Sequence, residues 1–132
     1  MPASRLDPLM QAALDARRNA YAPFSKFLVG AAIEDAQGRI HTGCNVENAS
    51  YGLTVCAERN AVYKAVSEGA RTFIRIAVAA ETDPLTPPCG ACRQVLAEFC
   101  EDLEIAMVNP AGKTESVRLK DLLPRAFRAS SR

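Results

Sequence analysis

The chain has 132 residues, of which 48% are hydrophobic, and 16 Lys plus Arg stand against 15 Asp plus Glu. That length suits one domain of about 100–200 residues, and the charge balance argues against a polyanion such as nucleic acid as the default partner. No run approaches about 18 apolar residues, so no membrane-spanning helix is expected. No signal-peptide run follows Met1 to Arg5.

Leu6, Leu9, Met10, Ala13 and Leu14 recur at helical spacing, with Pro8 near the start and an end expected near Asn19. Tyr21-Ala22-Pro23 reads as extended. Leu28 to Ile33 and Arg39 to Val46 read as a hairpin about the turn Asp35-Ala36-Gln37-Gly38. A polar loop, Asn45 to Ala49, leads to a helix over about Val55 to Gly69, with Thr54 as its expected cap and Gly69 as its stop. Phe73 to Ala80 is almost continuously apolar, the pattern of a strand covered on both faces. Pro88 opens a second short helix to about Phe99, and Ile105 to Asn109 reads as a strand. Pro110 to Lys113 is a turn. Val117 to Leu123 reads as an edge strand or a terminal helix, broken by Pro124. The sum is an α/β layer domain with helices on both sheet faces. The arginines Arg125, Arg128 and Arg132 fit a solvated terminus, with phosphate contact as the rival reading.

The cysteines carry the chemistry. Cys44, Cys56, Cys89, Cys92 and Cys100 form an odd set, which fits a reduced compartment, the cytoplasm, better than a disulfide scaffold. Cys89 and Cys92 form a Cys-x-x-Cys pair at a helix start, where backbone amides favour negative charge. Alone, that pair also fits a redox dithiol, and Cys56 alone fits a small buried residue. Together they match a catalytic zinc site, which takes three protein ligands and keeps one position open. A closed structural site would need Cys44, Cys100 or His41 as well.

Three thiolates on a divalent zinc leave one net negative charge. Two helix starts offset part of it, and Arg59 is the side chain placed to donate to a ligand thiolate; an exposed helix arginine is its alternative. Glu58, two residues after Cys56, is the candidate proton carrier beside the metal. The sole histidine, His41, lies outside both motifs.

These residues resemble the small, homotetrameric cytidine deaminases. The resemblance runs through Tyr21 to Phe27 with Val29 to Ala32, Thr42 to Gly52, Cys56-Ala57-Glu58-Arg59, Pro88-Cys89-Gly90-Ala91-Cys92-Arg93-Gln94, and Leu122 to Phe127. Cysteine at position 56 resembles the free-nucleoside branch, since nucleic-acid editing relatives usually carry histidine there. Blasticidin-type deaminases share the three cysteines but are less similar over Asn45 to Asn48. Two departures stand out. Leu28 replaces a frequent proline, and Pro87 replaces a frequent serine while keeping the backbone carbonyl.

The resemblance implies a three-layer α/β/α sandwich with a central mixed five-stranded sheet. It implies one domain over 1–132, whose tail from about 124 contributes to subunit contacts. One Zn2+ per subunit would sit on Cys56, Cys89 and Cys92. Asn45 and Glu47 would grip ribose hydroxyls, Phe27 the pyrimidine face, the Ala57 amide the base carbonyl and the Pro87 carbonyl the amino group. Ala49, Tyr51 and Phe127 would reach a neighbouring subunit's site. Core packing remains the alternative for Phe27, and loop capping for Asn45 and Glu47. The implied reaction is hydrolytic deamination of cytidine and 2′-deoxycytidine, with Glu58 moving the protons. The alternatives are a deaminase of a modified or antibiotic cytosine nucleoside, and a structural-zinc interaction module.

Overall fold

A computed structural model describes residues 6–129; Arg132 and Met1 to Arg5 lie outside the described residues. Helix α1 (Pro8–Arg17) starts on Asp7, whose Oδ1 accepts from the Met10 amide at 2.9 Å. Its buried stripe, Leu9 and Ala13, turns to the sheet. Strands β1 (Val29–Asp35) and β2 (Ile40–Cys44) form the expected hairpin, turned at Gly38 with a φ of 83°. Helix α2 is Ala57–Ser67 and β3 is Phe73–Ala80. Helix α3 (Gly90–Phe99) then leads to β4 (Glu104–Val108), β5 (Thr114–Arg118) and the short α4 (Leu119–Leu122).

The sheet order is β2-β1-β3-β4-β5. Only β3 and β4 run parallel, with Ala77 beside Ala106, and α3 provides the crossover that a parallel pair needs. The other three pairs are antiparallel. Helix α1 covers one face through Leu9 and Ala13 against Ala32, Ala77, Ala79 and Ala106. Helices α2 and α3 cover the other, where Ala61, Val62 and Leu96 meet Ile33, Ile76, Val78 and Ile105. The architecture is the expected three-layer sandwich with a mixed five-stranded sheet.

Two glycines set the distance between layers. A Cβ at Gly30 would stand 2.0 Å from the Ala13 carbonyl oxygen, and one at Gly43 would stand 2.4 Å from the Ala61 amide nitrogen. Both contacts are with helix backbone, so α1 and α2 lie on their strands only because these positions lack side chains.

Three local expectations are corrected. The N-cap of α2 is Cys56 and not Thr54, whose hydroxyl instead accepts from the Asn48 amide at 3.1 Å. The N-cap of α3 is Cys89, which places Pro88 before the helix. Val117 to Leu123 is neither strand nor helix alone, because β5 ends at Arg118 and α4 begins at Leu119. The tail is also not simply solvated. Arg128 donates from Nη2 to the Cys100 carbonyl at 3.1 Å and from Nη1 to the Ala97 carbonyl, because α3 ends with carbonyls that lack helical partners.

Candidate active site

Cys56 and Cys89 begin the two helices that cover the same sheet face. Their sulfurs lie 3.8 Å apart, and the Cys89 and Cys92 sulfurs 3.5 Å apart. All three fall within 4.8 Å of one another, and they are the one such group of potential ligands among the described residues. Neither capping cysteine uses its side chain to cap its helix. The first-turn amides therefore take no cap from these side chains, and the positive end of each helix dipole lies at its cysteine. Hydrogen bonding from Cys92, with Arg59 and Cys89 adding to it, lowers the Cys56 thiol to about 5. Cys92 moves up instead, because Cys56 takes the shared hydrogen bond as the anion.

Arg59 donates from Nη2 to the Cys56 sulfur at 3.5 Å, which places it where the sequence argument expects it. Glu58 points inward from the first turn of α2 and is only 4% exposed. Burial, with the neighbouring Cys56 thiolate adding to it, pushes its carboxyl up to about 7. A carboxyl poised near neutrality can both accept and return a proton.

Cys56, Cys89 and Glu58 share a cavity of about 160 Å³ with Phe27, Val29, Asn45, Thr54, Ala57, Thr86 and Pro87 among its walls. Phe27 is 40% exposed, so it is a wall of this cavity and not a core residue. It follows Lys26, whose φ of 62° turns the chain inward. Asn45 is buried, and both ends of its amide hold backbone. A second, more open cavity of about 420 Å³ lies between Phe24, Ser25, Glu47, Tyr51 and Thr54. Thr54 belongs to both walls, so the two cavities adjoin.

Glu47 lies in this outer cavity, away from the thiols. Its Oε1 accepts from the amides of Phe24 at 2.9 Å and Ser25 at 3.1 Å, and its Oε2 from the Ser25 hydroxyl. The Ser25 hydroxyl and these amides hold the carboxyl below its usual range. Its donors thus already come from its own chain, where the sequence argument looked to a ligand. Ala49 stands on an exposed loop, and Tyr51 opens the 3-10 turn Tyr51–Leu53 and lines the outer cavity. Tyr51 is 74% exposed with its ring edge-on to Phe24, and Phe127 is 79% exposed. Neither meets the thiol cavity of its own chain.

The family profile described as "Cytidine and deoxycytidylate deaminase zinc-binding region" matches residues 3–107. The chain belongs to the cytidine deaminase family. It is 50% identical over 122 residues to the cytidine deaminase of Halalkalibacterium halodurans, with 92% of each chain covered. It is 47% identical to that of Sporosarcina psychrophila, covering 92% of this chain and 90% of the other. The crystal structure of cytidine deaminase from Burkholderia pseudomallei superposes with a TM-score of 0.87 at 49% identity, over 90% of this chain and 96% of that one. The cytidine deaminase structure from Mycobacterium tuberculosis gives 0.80 at 43% identity, over 92% and 95%.

The thiol geometry fits the zinc of the cytidine deaminase family. Tetrahedral ligands at about 2.3 Å place sulfurs about 3.8 Å apart, which the pairs at 3.8 and 3.5 Å match. Cys56, Cys89 and Cys92 are the group that fits one zinc per subunit. Cys100 and half-buried Cys44 stand outside this set, and burial raises both thiols, Cys100 to about 11. The sequence argument missed Val29, Thr54 and Thr86 as cavity walls and Ser25 as the partner of Glu47. Position beside a motif was the only signal for Thr54 and Thr86.

Proposed function

We propose that the protein hydrolyses cytidine and 2′-deoxycytidine to the uridine products with release of ammonia, as a step of pyrimidine salvage in the cytoplasm. The observation that carries this is a buried carboxyl, Glu58, in one cavity with an aromatic wall and with Cys56 and Cys89, two of the three clustered cysteines. A structural-zinc module has no use for that cavity or for a carboxyl held near pH 7. When bound, the zinc supplies an electrophile that acidifies water at neutral pH.

The chain's own residues do the rest. Glu58 takes a proton from the attacking water and delivers one to ring nitrogen 3 of the base. The oxygen adds at ring carbon 4 as a hydroxyl, Glu58 takes the remaining proton from that hydroxyl and passes it to the exocyclic nitrogen, and ammonia leaves as the carbon–nitrogen bond breaks and the carbonyl forms. The Ala57 amide, in the first turn of α2 where amides lack helical partners, holds the base carbonyl. The Pro87 carbonyl accepts from the amino group and Phe27 covers the ring face. Asn45 and Glu47 take the ribose hydroxyls. Glu47 has used three acceptor positions on Phe24 and Ser25, and a carboxylate offers about four.

The inner cavity at about 160 Å³ is smaller than the roughly 300 Å³ at which ligand pockets usually begin. It suits a base, with the sugar at the junction of the two cavities between Asn45 and Glu47. The outer cavity is open and flanked by the exposed rings of Tyr51 and Phe24. We read the enzyme as a homotetramer in which Ala49, Tyr51 and Phe127 complete a neighbour's site. In that reading the tail from about 124 contributes to the subunit contacts of a domain spanning 1–132.

The test is ammonia and uridine release by zinc-loaded protein from cytidine, deoxycytidine, cytosine, adenosine and a blasticidin-like nucleoside. Turnover of the first two supports the reading. Silence on both sinks it, and a strong preference for the last reassigns the substrate. Sedimentation during turnover tests assembly, where a fully active monomer is the contrary result.

A further inference from the structure

One guanidinium joins the inner cavity to the end of the chain. Arg93 stands in the first turn of α3. Its Nε donates to the Pro88 carbonyl at 2.8 Å and its Nη1 to the Leu122 carbonyl at 3.0 Å. Pro88 is fully buried, between Pro87 and Cys89, which both wall the cavity. Leu122 is the last residue of α4 and opens the segment that carries Phe127. The next residue of α3 continues the same work, since Gln94 donates from Nε2 to the Phe127 carbonyl at 2.8 Å. Arg128 then returns to the Cys100 carbonyl. The tail is clasped along the helix that bears Cys92, yet the Phe127 ring stays 79% exposed. The backbone is fixed and the ring is presented.

We propose that Arg93 is a positioning residue that sets the Pro87–Cys89 wall and the C-terminal tail together. A planar guanidinium serves two carbonyls at once in a fixed fork, whereas a lysine ammonium is a single point donor. Losing Arg93 leaves a buried proline carbonyl without a partner and frees the start of the tail. The wall and the tail then move in the same variant, although no atom of Arg93 lines the cavity. The kinetic half of this inference rests on the proposed deamination. The structural half does not.

The experiment uses zinc-loaded full-length protein, wild type, Arg93→Ala, Arg93→Lys and Gln94→Ala. Tail cleavage by trypsin at Arg125 and Arg128 is followed by intact mass, beside zinc content and cytidine kinetics. Arg93→Ala is expected to keep its zinc, lose its tail several-fold faster, and raise KM about tenfold with kcat within about threefold, the pattern of lost substrate positioning. Arg93→Lys is expected between the two. Gln94→Ala is expected to speed tail cleavage with a smaller change in KM, since the Pro88 contact remains. Unchanged cleavage in Arg93→Ala overturns the clasp. Faster cleavage with unchanged KM overturns the coupling to the wall. Zinc loss with a collapse of kcat, shared equally by Arg93→Lys, reduces Arg93 to a structural residue and overturns the proposal. If Arg93→Ala does not fold, Arg93→Lys and Gln94→Ala decide by the same criteria. A wild type silent on cytidine defeats the proposed function, while the trypsin comparison still decides the clasp.

Discussion

The Asn45 side chain holds Phe27 in place: its Nδ2 donates to the Phe27 carbonyl at 2.7 Å, and its Oδ1 accepts from the Val29 amide two residues on at 2.9 Å. The residue expected to grip a sugar is thus also the clamp that aims the aromatic wall. Asn45→Ala strands the buried Val29 amide and the part-buried Phe27 carbonyl. At roughly 1–3 kcal/mol for each unpaired group, a loss of about 2–4 kcal/mol is expected. Denaturant midpoints measure it, together with a raised KM. A rise in KM with unchanged stability would show that the clamp is dispensable.

Glu58→Gln keeps the shape of the side chain and removes its proton traffic. Turnover on cytidine is expected to fall at least about 100-fold, with the zinc content unchanged. Stability should hold or rise, because burial of a carboxyl that ordinarily ionises is removed. Comparable turnover by the zinc-loaded variant excludes Glu58 as the proton carrier.

Gly43→Ala tests the seat of α2. The new methyl meets the Ala61 amide nitrogen at 2.4 Å and the Ala57 carbonyl oxygen at 2.6 Å, and backbone cannot swing aside. A loss of about 3 kcal/mol is expected from overpacking. Ala57 begins the helix that also carries Glu58, so turnover should fall with it. Full activity and an unchanged melting temperature would mean that α2 can shift freely.

The Asp35 cluster gives a pH dependence remote from the zinc. Asp35 Oδ2 meets His41 Nε2 at 2.9 Å and Arg39 Nε at 3.0 Å, and His41 Nδ1 meets Glu68 Oε1 at 2.6 Å. The His41 contact, helped by the Arg39 and Gln37 amides and the Arg39 charge, lowers Asp35 from 3.8 to about 2. The folded value lies below the unfolded one, so this stabilisation is complete above about pH 4 and fades as pH falls toward 2. Asp35→Asn should melt lower than wild type at pH 7, and the gap should narrow below about pH 3. Thermal scans in parallel buffers decide it, because acid loss of zinc acts on both proteins alike. A gap that is constant with pH removes the carboxylate from the account.

Removal of zinc should unmask the thiols in a fixed order. With its value near 5, Cys56 is a thiolate at neutral pH once the metal is gone. Cys100 is buried and held near 11. After chelation, alkylation at pH 7 followed by peptide mass spectrometry should find Cys56 first and Cys100 last. Zinc added before alkylation should restore activity, and zinc added after it should not. Modification of Cys100 at the same rate would contradict this order.

The part of the site legible in the sequence was the part written in contiguous motifs. Cys56 with Glu58, and Cys89 with Cys92, each sit on one helix start, so their spacing alone brings the groups to one end of a helix. The layers were legible too, because Leu9 and Ala13 keep helical spacing and Phe73 to Ala80 is apolar but for Arg75. What escaped depends on contacts between distant segments. Nothing near Gly43 in the chain announces the Ala61 amide, and nothing near His41 announces Glu68. The cap of α2 was placed at Thr54 because threonine is the stronger capping type. The Asn48 amide took that hydroxyl, and the helix began on a cysteine instead.

Cys56 and Cys89 stand where serine or aspartate would normally close a helix, and neither closes its own. A zinc ion held by both sulfurs would therefore also finish two helix starts. Binding energy at such a site is folding energy. Without zinc, those two helix starts lack a closing partner beside a reactive sulfur. One bound ion would then serve the fold as well as the chemistry.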